Sequence, residues 1–282
     1  MKQLVRVFAA ALLALPLVAF AQSISMDDLQ KEMKSNKNLV ILGIDAAGGK
    51  LPGSRMIDAK KIRQSSNVPD AKSFEAMMQA EGVNSDSKVV IVEEGTGSGT
   101  FAPAARLYWT FKYYGFDNVA ILSGGLQEWT DMGGEVSDKA PGKAKAGNFA
   151  AQAPRSEIYA SAEDVKAAIG KKTIVDVRDI ASYIGLNQKK GNKQAGHIDT
   201  AETADLTLYF KTGSTLHDKA ALEKLFKDLK IDLSKGNITY CNSGNQAAVG
   251  WYVLSEVLGQ KASLYDGSMK EWDGPVSNKL QN

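Results

Sequence analysis

The stretch Asn237-Ile238-Thr239-Tyr240-Cys241-Asn242-Ser243-Gly244-Asn245-Gln246-Ala247-Ala248 decides how this chain is read. Ile238-Thr239-Tyr240 is β-prone. The pattern from about Gln246 to Leu258 predicts a helix that stops at Gly259. The single cysteine of the chain therefore stands between a strand end and a helix start. Backbone N–H groups converge at such a junction, and the helix dipole is positive there. That setting stabilises negative charge on sulfur and so favours sulfur as a nucleophile. The competing reading is a small buried packing residue, since free cysteine is among the most buried types.

The rest of the composition bears on that choice. A length of 282 residues suits one large domain or two of ordinary size. Hydrophobic content of 44% and charged content of 23% are those of a globular protein. Residues 1–21 stand apart: Lys2 and Arg6 precede or open an apolar run, Val7 to Phe20, and Ala19-Phe20-Ala21 has the small-x-small form of a cleavage site. This predicts a secretory signal cut before Gln22, and the run is short for a membrane anchor. Its removal takes away two basic residues, leaving 32 basic and 32 acidic side chains. A net charge of zero gives no support for nucleic acid or anionic lipid as a partner, and no later segment is apolar enough to span a membrane. The expected location is periplasmic or secreted. Exported cysteines usually come in pairs, so a lone one is either intermolecular or reactive. One cysteine with His197 and His217 cannot supply a structural zinc site, so no metal or other cofactor is expected. So few histidines also weaken any mechanism that needs a Cys–His pair.

Read in order, Met26 to Met33 predicts a short amphipathic helix, and Asn38 to Ile44 a buried strand. Gly48 to Ser54 is turn-rich, Lys72 to Glu81 helical, and Lys88 to Val92 another buried strand. A glycine-rich loop over Gly95 to Thr100 follows; it lacks the Lys-Ser/Thr pair of a phosphate loop and reads as a plain connection. Pro103 is placed as a helix start, with the helix running to Tyr114 and stopping at Gly115. Val119 to Leu122 is the next strand, followed by Ser123-Gly124-Gly125. Residues 137–156 have the composition of a linker. A second series then begins, with Ser161 as an N-cap, strands at Thr173 to Val177, Asn237 to Tyr240 and Ala262 to Tyr265, and a helix over Lys219 to Leu229.

The two series superpose at an offset of 143 residues. Ala104-Ala105 then meets Ala247-Ala248, Gly124 meets Gly267, and Glu128-Trp129 meets Glu271-Trp272. These are five identities over 26 ungapped positions, against roughly two from ordinary composition. Tyr108-Trp109 also meets Trp251-Tyr252. Two copies of one strand–helix–strand unit are implied. The counterpart of Cys241 is Glu93 by strand register or Ser98 by helix register. Neither is a thiol, so only the second copy can use one. Strands alternating with helices predict open, mainly parallel α/β sheets, whose sites form at the carboxyl ends of strands.

These residues resemble the tandem-domain rhodaneses, a family of sulfurtransferases, over nearly all of the chain after residue 21. Ile174-Val-Asp-Val-Arg178 resembles the family's strand ending in Asp-x-Arg, and Ala195-Gly-His-Ile198 its Gly-His-Ile segment. Tyr240-Cys241-Asn-Ser-Gly244 resembles its active loop, and Tyr265-Asp-Gly-Ser-Met-Lys-Glu-Trp272 its closing segment. With the signal over 1–21 set apart, the resemblance implies an inactive rhodanese-like domain with linker over 22–145, and a catalytic one over 146–282. Each would be a mainly parallel sheet flanked by helices. Three positions depart from the family. Asn242 and Ser243 stand where animal-type enzymes carry basic residues, Ser182 replaces an arginine before Tyr183, and Asp199-Thr200-Ala201 replaces Pro-Gly-Ala. These changes remove cationic binding for a doubly charged donor such as thiosulfate.

The implied activity is transfer of sulfane sulfur from a small donor anion, thiosulfate or mercaptopyruvate, through a persulfide on Cys241 to cyanide or a thiol, with a sulfur-accepting protein as a further partner. A persulfide anion needs donors around it, and converging amides of residues 242–247 would supply them. Asn242, Ser243, Gly244, Asn245, Gln246 and Ala247 are thus expected to bind substrate, with Gly244 letting the loop fold back. Asp176 reads as a supporting acceptor for loop amides. Arg178 is a candidate for the donor's anionic group, with pairing to Asp176 as the alternative. His197 reads as a packing or turn residue, and Trp129 and Trp272 as core anchors. A cysteine phosphatase would need arginine at position 247, where alanine stands. A persulfide carrier and a two-domain solute-binding protein remain as alternatives, the latter by fold analogy alone.

Overall fold

The computed structural model describes residues 23–63, 67–137, 139 and 142–280, so the expected signal over 1–21 lies outside the described residues. In the first half, β1 (Ser23–Ile24), α1 (Met26–Ser35), β2 (Leu39–Ile44), β3 (Arg55–Ile57), α2 (Ala71–Ala80), β4 (Lys88–Val92), α3 (Ser98–Tyr113), β5 (Val119–Leu122) and α4 (Gly125–Asp131) follow in turn. The strands form one parallel sheet in the order β1-β5-β4-β2-β3. In the second half come β6 (Tyr159–Ala160), α5 (Ala162–Ala168), β7 (Thr173–Asp176), α6 (Ile180–Tyr183), β8 (His197–Ile198), β9 (Glu202–Thr203), β10 (Phe210–Thr212), β11 (Thr215–Leu216) and α7 (Lys219–Asp228). They are followed by β12 (Asn237–Tyr240), α8 (Ala247–Trp251), β13 (Ala262–Tyr265), α9 (Ser268–Glu271) and β14 (Val276–Ser277). The second parallel sheet has the order β6-β13-β12-β7-β9, the first order repeated strand for strand. The inner strands of the first half are nearly continuous apolar runs, as expected where helices cover both faces of a sheet, and β7 and β12 of the second are buried throughout.

The inner strands lie where hydrophobic patterning places them, to within a residue. The edge strands β1, β3, β6 and β9 have two or three residues each, too few to leave a period in the sequence. Two helix expectations change. Pro103 lies inside α3, which starts at Ser98, so half of the glycine-rich loop is its first turn. The run expected as one α-helix from Gln246 is α only to Trp251 and then widens to a π-helix over Tyr252–Val257.

Of the residues read as a linker, 142–155 have no regular structure but are docked on the first half. Gly147 donates to the Gln79 carbonyl at 2.8 Å, and Phe149 to that of Val83 at 3.0 Å. Phe149 is fully buried, with its ring against Phe74, Phe111 and Phe116. A Cβ at Gly147 would stand 2.0 Å from the Val83 carbonyl oxygen, so glycine is what allows this approach.

The two halves share one core. Helix α3 lies against α8, and Tyr108 meets Trp251 and Tyr252 at ring-centroid distances of 6.4 and 5.1 Å. Tyr108 and Trp251 are matched positions of the repeat. A residue touching its own counterpart marks an approximate two-fold between the copies.

Candidate active site

Cys241 follows β12, the central strand of the second sheet, at its carboxyl end. Tyr240, one residue before it, points the other way. Its hydroxyl donates to Asp176 at 2.7 Å and accepts from the Ile198 amide at 3.1 Å. Burial, with the Asp176 charge adding to it, holds the phenol well above the ordinary tyrosine range.

Asp176 is the hub beneath the site. Its Oδ1 accepts from the Arg178 amide at 3.0 Å and the Arg178 Nε at 2.9 Å, and its Oδ2 accepts from a terminal nitrogen of the same guanidinium at 2.5 Å. Arg178 also donates to the Gly196 carbonyl at 2.8 Å and is 2% exposed. Burial works against its charge, but the hydrogen bond and charge of Asp176 offset this and raise its pKa above the ordinary value. This corrects the expectation that Arg178 binds the donor's anion: the guanidinium is buried and engaged with Asp176. His197 stacks on Tyr183 at 3.7 Å, with Nδ1 2.9 Å from the Tyr183 carbonyl, and burial lowers its pKa. It packs and does not meet the sulfur in any described contact.

The loop after Cys241 turns back at Gly244, where φ is +82° and a Cβ would come within 2.4 Å of Asp266 Oδ1. The Ser243 N–H lies 3.4 Å from the Cys241 sulfur. The Gly244 N–H does not point there. It donates to Ser268 Oγ at 3.0 Å, as does the Cys241 N–H at 3.1 Å. The expected ring of amides over 242–247 is therefore narrower than predicted, because Ser268 takes one of them. Ser268 also donates to the Tyr265 carbonyl at 2.9 Å, and its own φ is +50°. Such a conformation is unfavourable for serine, and the three hydrogen bonds hold it. Sequence reasoning placed Ser268 only in a closing turn, and its role as the staple of the loop was missed.

The other expected binding residues divide. Asn242 accepts from the Asn192 amide group at 2.7 Å, and its carbonyl accepts from the Lys270 amide at 2.9 Å. Asn245 and Gln246 are half-buried, and their carbonyls receive the first amides of α8, from Ala248 at 3.2 Å and Val249 at 3.0 Å. Ala247 is fully buried and its carbonyl accepts from Thr239 Oγ1 at 3.0 Å, so its side chain offers a substrate nothing. Cys241 itself is 1% exposed.

The first half enters the site from behind. Arg106 of α3 forms a buried pair with Asp266, at 2.7 and 2.8 Å, and the Val68 amide donates to the same carboxylate at 2.7 Å. Arg63 reaches further. One terminal nitrogen donates to the Ser243 carbonyl, and the other lies 3.4 Å from Ser243 Oγ. No pattern in the sequence marks Arg63, because its partner lies 180 residues away.

The repeat also settles which residue stands in the cysteine's place. The Met269 and Lys270 amides donate to the carbonyls of Cys241 and Asn242. The Leu126 and Gln127 amides, 143 residues earlier, donate to those of Glu93 and Glu94. Glu93, not Ser98, is thus the counterpart of Cys241. Its carboxylate accepts from the Gly95 amide at 2.8 Å and from Ser214 Oγ at 3.1 Å, Ser214 lying at the tip of the β10–β11 hairpin from the second half.

Comparison with known proteins agrees with this geometry. A family model for the rhodanese-like domain matches residues 25–132 and again 161–274. A protein of Saccharopolyspora erythraea named as a candidate thiosulfate sulfurtransferase is 31% identical over 246 residues, covering 83% of this chain and 85% of its own. A Haloferax volcanii protein of the same name is 31% identical over 222 residues, covering 76% of each. The crystal structure of SseA from Escherichia coli, a 3-mercaptopyruvate sulfurtransferase, superposes with a TM-score of 0.77 at 24% identity, over 90% of this chain and 100% of that one. With two copies of the domain and a lone thiol at the end of the central strand in the second, the chain belongs to the rhodanese family, among its sulfurtransferases.

Proposed function

We propose that the chain is an exported sulfurtransferase that takes sulfane sulfur from a small anionic donor, thiosulfate or mercaptopyruvate, as a persulfide on Cys241. It then passes that sulfur to cyanide or a thiol. The observation that carries the reading is the position of the one cysteine: it ends the central strand of the second sheet, with the Ser243 N–H directed at its sulfur, while the matched position of the first sheet is Glu93. The export component is supported by the sequence of residues 1–21.

The chemistry balances without a redox partner. The Cys241 thiolate attacks the outer sulfur of thiosulfate, the sulfur–sulfur bond of the donor breaks, and sulfite leaves with the electron pair. With mercaptopyruvate a carbon–sulfur bond breaks, and pyruvate leaves after taking a proton. Cyanide or a thiolate then attacks the outer sulfur of the persulfide and regenerates the Cys241 thiolate. The Ser243 N–H faces the Cys241 sulfur, which carries the negative charge of the thiolate before sulfur is taken up and again after it is passed on. The stapling of Cys241 and Gly244 to Ser268 keeps the loop from rearranging at that moment.

Incubation with each donor followed by intact mass measurement tests the proposal. A gain of one sulfur atom is expected in the wild type and none in Cys241→Ser. Absence of the adduct with every donor would overturn it. Turnover with cyanide separates an enzyme from a carrier, which would release sulfur once, to a partner protein. The solute-binding alternative falls with the family assignment.

A further inference from the structure

The active loop brings no cation of its own. Residues 242–248 are neutral, Arg178 is engaged with Asp176, and Arg106 with Asp266. A donor such as thiosulfate nevertheless carries two negative charges. The first half supplies a cation at the loop. Arg63 follows the turn Ala59–Ile62, is half-buried, and holds both the carbonyl and the hydroxyl of Ser243. Ser243 is also the residue whose N–H faces the Cys241 sulfur. Its carbonyl shares a peptide unit with the Gly244 N–H that is bonded to Ser268. Arg63 thus bonds to the residue whose own N–H faces the reacting atom.

We propose that Arg63 is the donor-specificity residue of the sulfurtransferase, set across the boundary between the two halves. Its guanidinium binds the anionic end of the donor, the sulfonate oxygens of thiosulfate or the carboxylate of mercaptopyruvate, while the outer sulfur meets Cys241. A planar guanidinium matches two oxygens of such a group at once, which a lysine does not. The inactive half then has a role in catalysis: it carries the charge that the loop lacks, and neither half binds the donor well alone. This rests on the sulfurtransferase reading above.

Thiosulfate binding is measured by calorimetry on Cys241→Ala and on the double variant Arg63→Gln, Cys241→Ala, so that no transfer step is needed. Steady-state rates are measured for wild type, Arg63→Gln and Arg63→Lys with thiosulfate and with an uncharged organic trisulfide. Arg63→Gln is expected to weaken thiosulfate binding and raise its KM by about ten- to a hundredfold, the range of one charge-assisted hydrogen bond, with little change in kcat. Arg63→Lys recovers part of the loss. The wild-type KM for thiosulfate rises with salt, and in Arg63→Gln that dependence flattens. Rates with the trisulfide stay within about threefold of wild type. Unchanged thiosulfate binding in the double variant overturns the proposal, even if sulfur transfer is demonstrated. Equal losses of kcat with both donors also overturn it, since they mark a loop brace and not an anion site. If the wild type takes sulfur from no donor while thiosulfate binding still depends on Arg63, the transfer reading fails and the anion site stands.

Discussion

Ser268 shows how a small polar residue fixes the active loop. Its hydroxyl is the acceptor for two buried amides, those of Cys241 and Gly244. Ser268→Ala leaves both without that partner. A buried donor deprived of its acceptor costs about 1–3 kcal/mol, so a drop of that order in unfolding free energy is expected by chemical denaturation. Persulfide formation on Cys241 slows in the same variant, because Gly244 is no longer tied at the turn. Unchanged stability together with an unchanged rate of sulfur uptake would show that the staple does nothing. The single thiol and the turn glycine were legible in the sequence at this scale. The staple and Arg63 were not, since a serine in a closing turn and an arginine in a loop have no local pattern that announces a distant partner.

Loops β4–α3 and β12–α8 are two outcomes of one element. In the second copy a thiol ends the strand. In the first, Glu93 stands there and accepts from an amide of its own loop, while the β10–β11 hairpin sets Ser214 over it. A buried acidic side chain so fills the place that the thiol of Cys241 has in the other loop. Burial raises the Glu93 pKa above 4.5, against the lowering by its hydrogen-bond donors Thr100, Gly95 and Ser214. The folded protein therefore keeps this proton to higher pH than the unfolded chain. Its contribution to stability is present below the unfolded value and is lost as pH rises through the raised one. Glu93→Gln is expected to remove that fall, so its unfolding free energy changes less than that of wild type between pH 4.5 and neutrality. Denaturant midpoints across that range check it, and parallel pH curves for the two proteins would refute it. The repeat was legible from matched small and aromatic residues. The choice of Glu93 over Ser98 needed the amide contacts of α4 and α9, because the two loops differ in length.

At the scale of the molecule the copies are joined through α3 and α8 and through the Arg106–Asp266 pair, both partners of which are at most 1% exposed. Breaking a buried pair from one side leaves an uncompensated charge and costs about 3–5 kcal/mol. Arg106→Ala is expected to lose stability on that order and to slow sulfur transfer, because Asp266 backs Gly244. The shared core further implies that the wild type unfolds in one cooperative transition. Two separate transitions in wild type, or an Arg106→Ala protein as stable as wild type, would contradict this account of the interface. The residues of the docked linker point the same way: Phe149 sits in the first half's aromatic cluster, so the connection is part of the body it leaves.

By itself the sequence determined the buried strands, the duplication, the α/β class and the place of the one thiol between a strand and a helix. Each of these depends on side chains close together in the chain, or repeated along it, and so leaves a period or a spacing that can be read. Only the tertiary structure decided which cation faces the active loop, what holds that loop, and that Arg178 belongs to Asp176. Those facts depend on groups brought together by the docking of one half on the other. A contact across 180 residues, such as that from Arg63 to Ser243, is set by the packing of α3 on α8 and by no local preference.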